Sequence, residues 1–274
     1  MNSALETASD PGSLRRVAID PLSRVEGHGK VTLLLDQDDR VRQVRLHIVE
    51  FRGFEKFIQG RPYWEVPVTV QRLCGICPVS HHLAAAKAMD MVVGAELTPT
   101  AEKVRRLMHY GQILQSHALH FFHLASPDLL FGFDAEVGRR NIAALAEEQP
   151  ELARKGVLLR KYGQEVIRVT AGKRVHGTGA VPGGVNKSLT AQERDYLQED
   201  VYRVLAWSRE AVDIARRLYE SDRALYDGFG TCRSSMLSLV AADGSLDLYD
   251  GGLRARDADG GILFDHGDCS RYWE

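Results

Sequence analysis

The chain has 274 residues, of which 44% are hydrophobic and 26% charged. Its formal net charge of -2 argues against a nucleic-acid surface, which needs a clustered excess of lysine and arginine. No stretch approaches the roughly 20 apolar residues of a membrane span, and the start of the chain lacks the apolar run of a signal peptide. We therefore expect a soluble, cytoplasmic protein whose four cysteines are free or metal-bound rather than paired in disulfides.

The N-terminal region is predicted to contain strands. Residues 1–13 are polar and are expected to be disordered. After them, β-branched residues in a partly alternating pattern predict strands over residues 14–19, 30–35 and 41–49. These strands precede the helical part of the chain.

The middle of the chain is predicted to be helical. From His82 to Gly94, apolar residues recur at helical spacing. A second helix is expected to begin at Thr98 and Pro99, because threonine caps a first turn and proline suits the first helical position. Its apolar series continues towards Pro127, which predicts a long and well-buried helix.

The rest of the chain adds a loop, a helix and further strands. The glycine-rich residues 174–187 fit neither of the two common phosphate-binding glycine patterns and are interpreted as a tight packed loop. Thr190 and Glu193 form a capping-box pattern, which predicts a third helix. After Gly228 the pattern is again strand-like, with turns predicted at residues 243–244 and 259–261. The chain shows no repeat and no linker, so the expected fold class is α+β, predominantly helical.

The segment that says most about function runs from Arg72 to His81 and has the sequence RLCGICPVSH. Cys74 and Cys77 form a CxxC motif ahead of the histidine. Because Pro78 suits the first turn of a helix, Cys77 would lie at a helix N-terminus, where the positive end of the helix favours a thiolate. Two thiols at this spacing can bind one soft metal or form a redox pair.

On its own, the CxxC motif leaves other kinds of chemistry open. A structural zinc site needs four ligands, usually from a second CxxC or a histidine pair nearby, and the other cysteines, Cys232 and Cys269, are distant. A thioredoxin-like couple would follow a strand, but residues 60–69 show no clean alternation. Zinc binding and dithiol redox chemistry are therefore disfavoured, and the neighbouring segments must decide.

Three segments together resemble the large subunit of nickel-iron hydrogenases, specifically the cytoplasmic, bidirectional, NAD-linked branch. Residues 24–28 match the RxEGH pattern, residues 52–55 match RGxE, and residues 72–81 match RxCGxCxxxH. Their order and spacing also agree with the family, and the resemblance extends over residues 15–274. The combination is far more specific than any one of its parts.

The resemblance implies roles for the residues of the CxxC segment. Cys74 would be a terminal nickel thiolate, and Cys77 would bridge nickel to an iron that carries carbon monoxide and cyanide. His81 would donate an N–H towards the sulfur of Cys77, and Arg72 would support the site. The resemblance thus implies the metal site of an enzyme that oxidises hydrogen reversibly and heterolytically.

The resemblance also implies roles for two carboxylates. Glu26 would be the proton gate, because heterolytic cleavage of hydrogen releases a proton that an acid-base group must lead to solvent. Glu55 resembles the family's glutamate at a magnesium site, a hard oxygen ligand for a hard cation. Without the RxEGH frame, Glu26 would more often be a surface carboxylate. Three histidines at a spacing of three residues are interpreted as structural or network residues rather than ligands: His117, His120 and His123.

The chain departs from the family pattern in its cysteines. The family's metal site uses four, two of them from a second CxxC near the C-terminus, and this chain has no second CxxC. Residues 14–274 are therefore interpreted as the truncated N-terminal portion of a single large-subunit domain. We expect the chain alone to be inactive, so the predicted function is that of the intact subunit.

The resemblance finally implies partners, because the cysteines are too few to build an iron-sulfur cluster. A small subunit would carry iron-sulfur clusters, a diaphorase module with FMN would pass electrons to NAD, and maturation factors would assemble the site. NADP, deazaflavin and ferredoxin stay open as acceptors. Two other functions stay open: the quinone-site subunit of respiratory complex I, which shares the scaffold, and a metal-free scaffold. Retention of Cys74 and Cys77 argues against the quinone subunit.

Overall fold

The computed structural model describes residues 10–50 and 53–267, and it has the mixed α+β class that the sequence predicts. The strands are β1 (Arg15–Ile19), β2 (Gly29–Leu35), β3 (Val41–Ile48), β4 (Ala180–Val181), β5 (Gly184–Val185), β6 (Met236–Val240), β7 (Gly252–Arg256) and β8 (Ile262–Gly267). The helices are α1 (Phe54–Phe57), α2 (Val66–Val70), α3 (Pro78–Val93), α4 (Pro99–Leu119), α5 (Ser126–Phe131), α6 (Ile142–Glu148), α7 (Pro150–Ala171), α8 (Ala191–Ser221) and α9 (Arg223–Gly228).

The strands form small antiparallel sheets in chain order, which confirms the strand predictions. One sheet has the order β1-β2-β3 and another β6-β7-β8, while β4 and β5 form a hairpin inside the glycine-rich loop. Turns occur where Gly244 and Gly260 adopt positive φ angles, as predicted for the last sheet. Of the N-terminal segment expected to be disordered, residues 1–9 lie outside the described residues and residues 11–13 form a 3-10 turn. Cys269 also lies outside the described residues.

The predicted helix starts are confirmed by their caps. The side chain of Thr98 accepts a hydrogen bond from the backbone N–H of Ala101, and the capping box at Thr190 and Glu193 is complete. The predicted long helix towards Pro127 consists of α4, a π-helical segment and α5. None of the described helices is both long enough and apolar enough to cross a membrane.

Helix α7 was not predicted, because glycines lower helix propensity and interrupt its apolar pattern. The structure shows why they are there. A Cβ atom on Gly163 would lie 2.6 Å from the carbonyl oxygen of Gly111 in α4, and a Cβ on Gly111 would lie 2.7 Å from Cγ1 of Val166. The two glycines therefore allow α4 and α7 to pack with their backbones in close contact, at the centre of the helical layer.

A buried ion pair joins α3, α4 and the β4–β5 hairpin. Arg105 of α4 is fully buried, and its guanidinium donates to both carboxylate oxygens of Asp90 of α3 at 2.6 and 3.2 Å. It also donates to the carbonyl oxygens of Val181 and Gly184, while the N–H of Gly183 donates to Asp90. The glycine-rich stretch is therefore the tight packed loop that the sequence predicts.

Removing one member of this pair should destabilise the chain strongly. Arg105→Met leaves the carboxylate of Asp90 buried without its cation, and we expect the free energy of unfolding to fall by about 3–5 kcal/mol in urea titrations. The matched control is Arg233→Ala, whose partner Asp259 is as exposed as the arginine, so its loss should be below about 1 kcal/mol. Similar losses in the two variants would contradict the central role of the buried pair.

Candidate metal centre

The CxxC segment forms a loop that brings both sulfurs to one point. A single 3-10 turn, Gln71–Leu73, leads into Cys74, and Pro78 opens α3 with Cys77 at the N-cap position, as predicted. The two Sγ atoms are 2.7 Å apart, and the backbone N–H of Cys77 donates to the Sγ of Cys74 at 3.1 Å. Cys74 is buried and Cys77 half-buried, so the pair lies at the edge of the packed core.

His81 lies one turn into α3, and its imidazole comes close to both sulfurs. The candidate ligand atoms of Cys74, Cys77 and His81 all lie within 4.8 Å of one another, and this is the one group of at least three such residues found in the described part of the chain. Thiolate sulfurs are ligands that soft transition metals prefer, so the cysteine pair fits nickel and iron. It supplies two of the four thiolates that the sequence resemblance implies.

The electrostatics of the sulfur pair oppose deprotonation of Cys77 when no cation is bound, contrary to the thiolate that its position at a helix N-terminus predicts. Burial raises the pKa of the Cys77 thiol to about 12, and the hydrogen bond and charge of Cys74 and the negative charge of Glu26 add to this effect. Two sulfurs so close together resist carrying two negative charges. Because metal ligands must be deprotonated, a cation at this point would offset the repulsion.

The segment that carries Glu26 is anchored on one side by Glu50. One carboxylate oxygen of Glu50 accepts from the backbone N–H of His28 at 2.7 Å and lies 2.6 Å from its Nδ1, and these contacts lower the pKa of Glu50. Gly27 has a φ angle of +79°, and a Cβ there would lie 3.1 Å from the same oxygen. Glu26 itself is exposed and near enough to Cys77 for its charge to act on the thiol.

An arginine anchors the other side of the same segment. The Nε atom of Arg24 donates to Asp128 at 2.8 Å, and its Nη2 donates to the carbonyl oxygen of Arg140 at 2.5 Å. Arg140 also pairs with Asp128, at 3.3 Å. The sequence places Arg24 in the RxEGH motif but gives no signal for Arg140, which lies 116 positions away.

Arg72 reaches the cysteine loop through a histidine that the sequence left without a role. Nη1 of Arg72 donates to Nδ1 of His176 at 3.2 Å, which places the ring proton of His176 on Nε2. That Nε2–H donates to the carbonyl oxygen of Cys74 at 3.1 Å. The glycine-rich loop therefore holds the backbone of the first cysteine in place.

The other predicted site residues lie apart from the sulfur pair. Glu55 is exposed in the first turn of α1 and belongs to no group of three or more candidate ligands among the described residues, so its magnesium role stays a prediction. Arg52 of the RGxE pattern lies outside the described residues. His117 lies in the last turn of α4, and His120 and His123 lie in the π-helical segment.

Comparisons with known proteins find relatives over most of the chain. A family profile described as nickel-dependent hydrogenase matches residues 52–145, and one described as HoxL-like matches residues 16–51. The NAD-reducing hydrogenase HoxS subunit beta of Cupriavidus necator is 46% identical over 268 residues, which are 93% of this chain and 55% of that protein. The chain thus spans just over half the length of this relative.

Solved structures also match this chain over most of its length. A crystal structure of an NAD+-reducing [NiFe]-hydrogenase in its H2-reduced state is 62% identical, with a TM-score of 0.89 over 93% of this chain and 56% of that one. A reduced, active form of the Ni-Fe-Se hydrogenase from Desulfomicrobium baculatum is 26% identical, with a TM-score of 0.73 over 92% of this chain and 55% of that one.

His82, next to His81, is a buried neutral histidine. Its Nδ1–H donates to the carbonyl oxygen of Pro67 at 2.8 Å, and its Nε2 accepts from the backbone N–H of Ala180 at 3.0 Å. Burial lowers the pKa of His82, and the positive charge of Arg105 acts in the same direction. The ring therefore connects α3 to α2 and to β4 as long as it stays unprotonated.

Protonation of His82 should destabilise the chain in acid. The unfolded state takes up a proton below about pH 6.5 while the folded ring resists it, so stability is full above that pH and falls below it, by up to about 1.4 kcal/mol per pH unit. The difference in unfolding free energy between about pH 7.5 and about pH 5.5 should shrink in His82→Gln and stay unchanged in the exposed control His117→Gln. An unaltered pH dependence in His82→Gln would contradict this assignment.

Proposed function

The chain belongs to the nickel-iron hydrogenase large-subunit family, and we propose that in the intact subunit it forms part of the centre that oxidises hydrogen reversibly and heterolytically. The observation that carries the proposal is the convergence of Cys74, Cys77 and His81 on one point, with the charge of Glu26 acting on the same thiol. Residues 14–274 would belong to a single large-subunit domain.

The two cysteines would hold the metals. Cys74 would be a terminal ligand of nickel, and Cys77 would bridge nickel to an iron that carries carbon monoxide and cyanide. When bound, the nickel-iron group would supply the centre at which hydrogen is split. His81 would donate an N–H towards the sulfur of Cys77, and Arg72 would fix the loop through His176.

Glu26 would lead protons between the sulfur pair and solvent. Its side chain is exposed, while its charge acts on the Cys77 thiol, and both observations support a role between the sulfur pair and solvent. The anchors formed by Arg24 and His28 limit the movement of the segment on both sides of Glu26. A proton-transfer group gains from this restraint because transfer requires a short and constant distance.

Electrons would leave through partner subunits. We propose a small subunit with iron-sulfur clusters, a diaphorase with FMN that reduces NAD, and maturation factors that install the metals in the cytoplasm. The NAD-reducing relative and the NAD+-reducing structure support this choice of acceptor. Magnesium at Glu55 belongs to the same proposal, because a carboxylate oxygen suits a hard cation.

Replacing a proposed nickel ligand should abolish both metal binding and activity. In the intact subunit, produced with its partner subunits, Cys74→Ser is expected to lose nickel and hydrogen-dependent NAD reduction. The loss should exceed the roughly 10–100-fold cost of removing a residue that only supports a ligand. The exposed Cys232→Ser is the matched control and should retain both. Full nickel content in Cys74→Ser, measured by mass spectrometry, would contradict the proposal.

Replacing the proposed proton gate should separate metal binding from proton transfer. Glu26→Gln keeps the size of the side chain, so nickel and iron contents are expected to be unchanged. Exchange between deuterium gas and water protons should slow by about 100- to 10,000-fold, because the transfer group is lost. Glu199→Gln, an exposed change on α8, serves as the control. Exchange at the original rate in Glu26→Gln would remove the gate role.

A further inference from the structure

Two buried glutamines of α4 donate to the same oxygen of the cysteine loop. The Nε2 atoms of Gln112 and Gln115 each lie 3.1 Å from the carbonyl oxygen of Ile76. The residues are three positions apart, so both side chains leave the same face of the helix. Both residues are almost completely buried, so contact with water does not explain the position of either amide.

The two amides use the full acceptor capacity of this oxygen. A carbonyl oxygen has two lone pairs, and that of Ile76 accepts two hydrogen bonds. Among the described residues, the Oε1 atoms of both Gln112 and Gln115 are buried and have no hydrogen-bond partner. Leaving a buried polar atom unpartnered costs about 1–3 kcal/mol, so each amide donates to Ile76 while its own oxygen carries such a cost.

The carbonyl of Ile76 and the N–H of Cys77 belong to one peptide unit. That N–H donates to the Sγ of Cys74 at 3.1 Å. The hydrogen bonds therefore form a continuous chain from the two glutamine amides, through the peptide, to the sulfur. Donation to the carbonyl oxygen polarises the peptide and makes its N–H a stronger donor, because hydrogen bonds in series reinforce one another in a low-dielectric interior.

We propose that Gln112 and Gln115 are positioning residues that lower the electron density on the Cys74 sulfur by acting through the Ile76–Cys77 peptide. The proposal rests on the proposed role of Cys74 as a nickel ligand. A stronger N–H···S bond withdraws charge from the sulfur, so the thiolate stabilises the higher oxidation state of a bound metal less well. Groups that hydrogen-bond to a metal ligand tune the metal in this way.

A purely structural role would have different consequences. If the amides only hold the loop, their loss should lower stability or metal content without changing the electronic state of the bound nickel. If they tune the sulfur, the nickel should stay bound while its reduction potential moves downwards, because the sulfur becomes a stronger electron donor. The potential therefore separates the two roles, and catalytic activity is not needed for the comparison.

The experiment compares Gln112→Met, Gln115→Met and the double variant in the intact subunit, produced with its partners and maturation factors. Methionine keeps the length of the side chain and removes the N–H donors. Nickel content, melting temperature and the midpoint potential of nickel, followed by electron paramagnetic resonance, are measured on each. The control is Thr170→Val, a buried polar group on α7 whose hydroxyl donates only to carbonyls of its own helix.

We expect both single variants to retain nickel at a lower midpoint potential, the double variant to shift further, and Thr170→Val to keep the original potential. Unchanged potentials in nickel-loaded single variants would overturn the tuning role and leave the hydrogenase proposal intact. Nickel loss in the single variants, with normal loading of Thr170→Val, would also overturn it by assigning the amides to assembly of the site. A wild-type subunit without nickel would instead refute the proposed function.

Discussion

The site depends on the buried ion pair between Arg105 and Asp90, because this pair fixes the two helices that meet at the cysteine loop. Asp90 lies in α3, which begins directly after Cys77, and Arg105 lies in α4, which carries Gln112 two turns further along. The same guanidinium holds the β4–β5 hairpin. A single desolvated charge pair thus sets the relative position of three elements, and charges buried in this way tolerate little displacement.

Hydrogen bonds between residues far apart in sequence then fix the cysteine loop and the segment that carries Glu26. His176 donates to the carbonyl oxygen of Cys74. The side-chain amides of Gln112 and Gln115 donate to the carbonyl oxygen of Ile76, two residues further along the loop. Arg24 and His28 restrain the segment of Glu26 in the same manner. The cysteines are therefore presented by a rigid loop, and the acid-base candidate lies on a separate segment that is anchored independently.

Local chemistry made a large part of this structure predictable. Caps such as Thr98, the CxxC motif and the strand patterns depend on neighbouring residues, so the sequence predicts them directly. Helix α7 could not be predicted in this way, since Gly163 is unfavourable for a helix until the close approach to α4 is known. The roles of Gln112 and His176 escaped prediction for a related reason: neutral polar residues far along the chain carry no charge or motif that points to the cysteines.

The central claim is that Cys74 and Cys77 are two of the ligands of a nickel-iron centre in the intact subunit. The most direct measurement is anomalous X-ray scattering at the nickel, iron and zinc absorption edges, from crystals of the intact subunit with its partners. The account predicts a nickel peak at bonding distance from both sulfurs and an iron peak next to Cys77. A peak from zinc alone at this pair, or nickel bound elsewhere in the subunit, would contradict it.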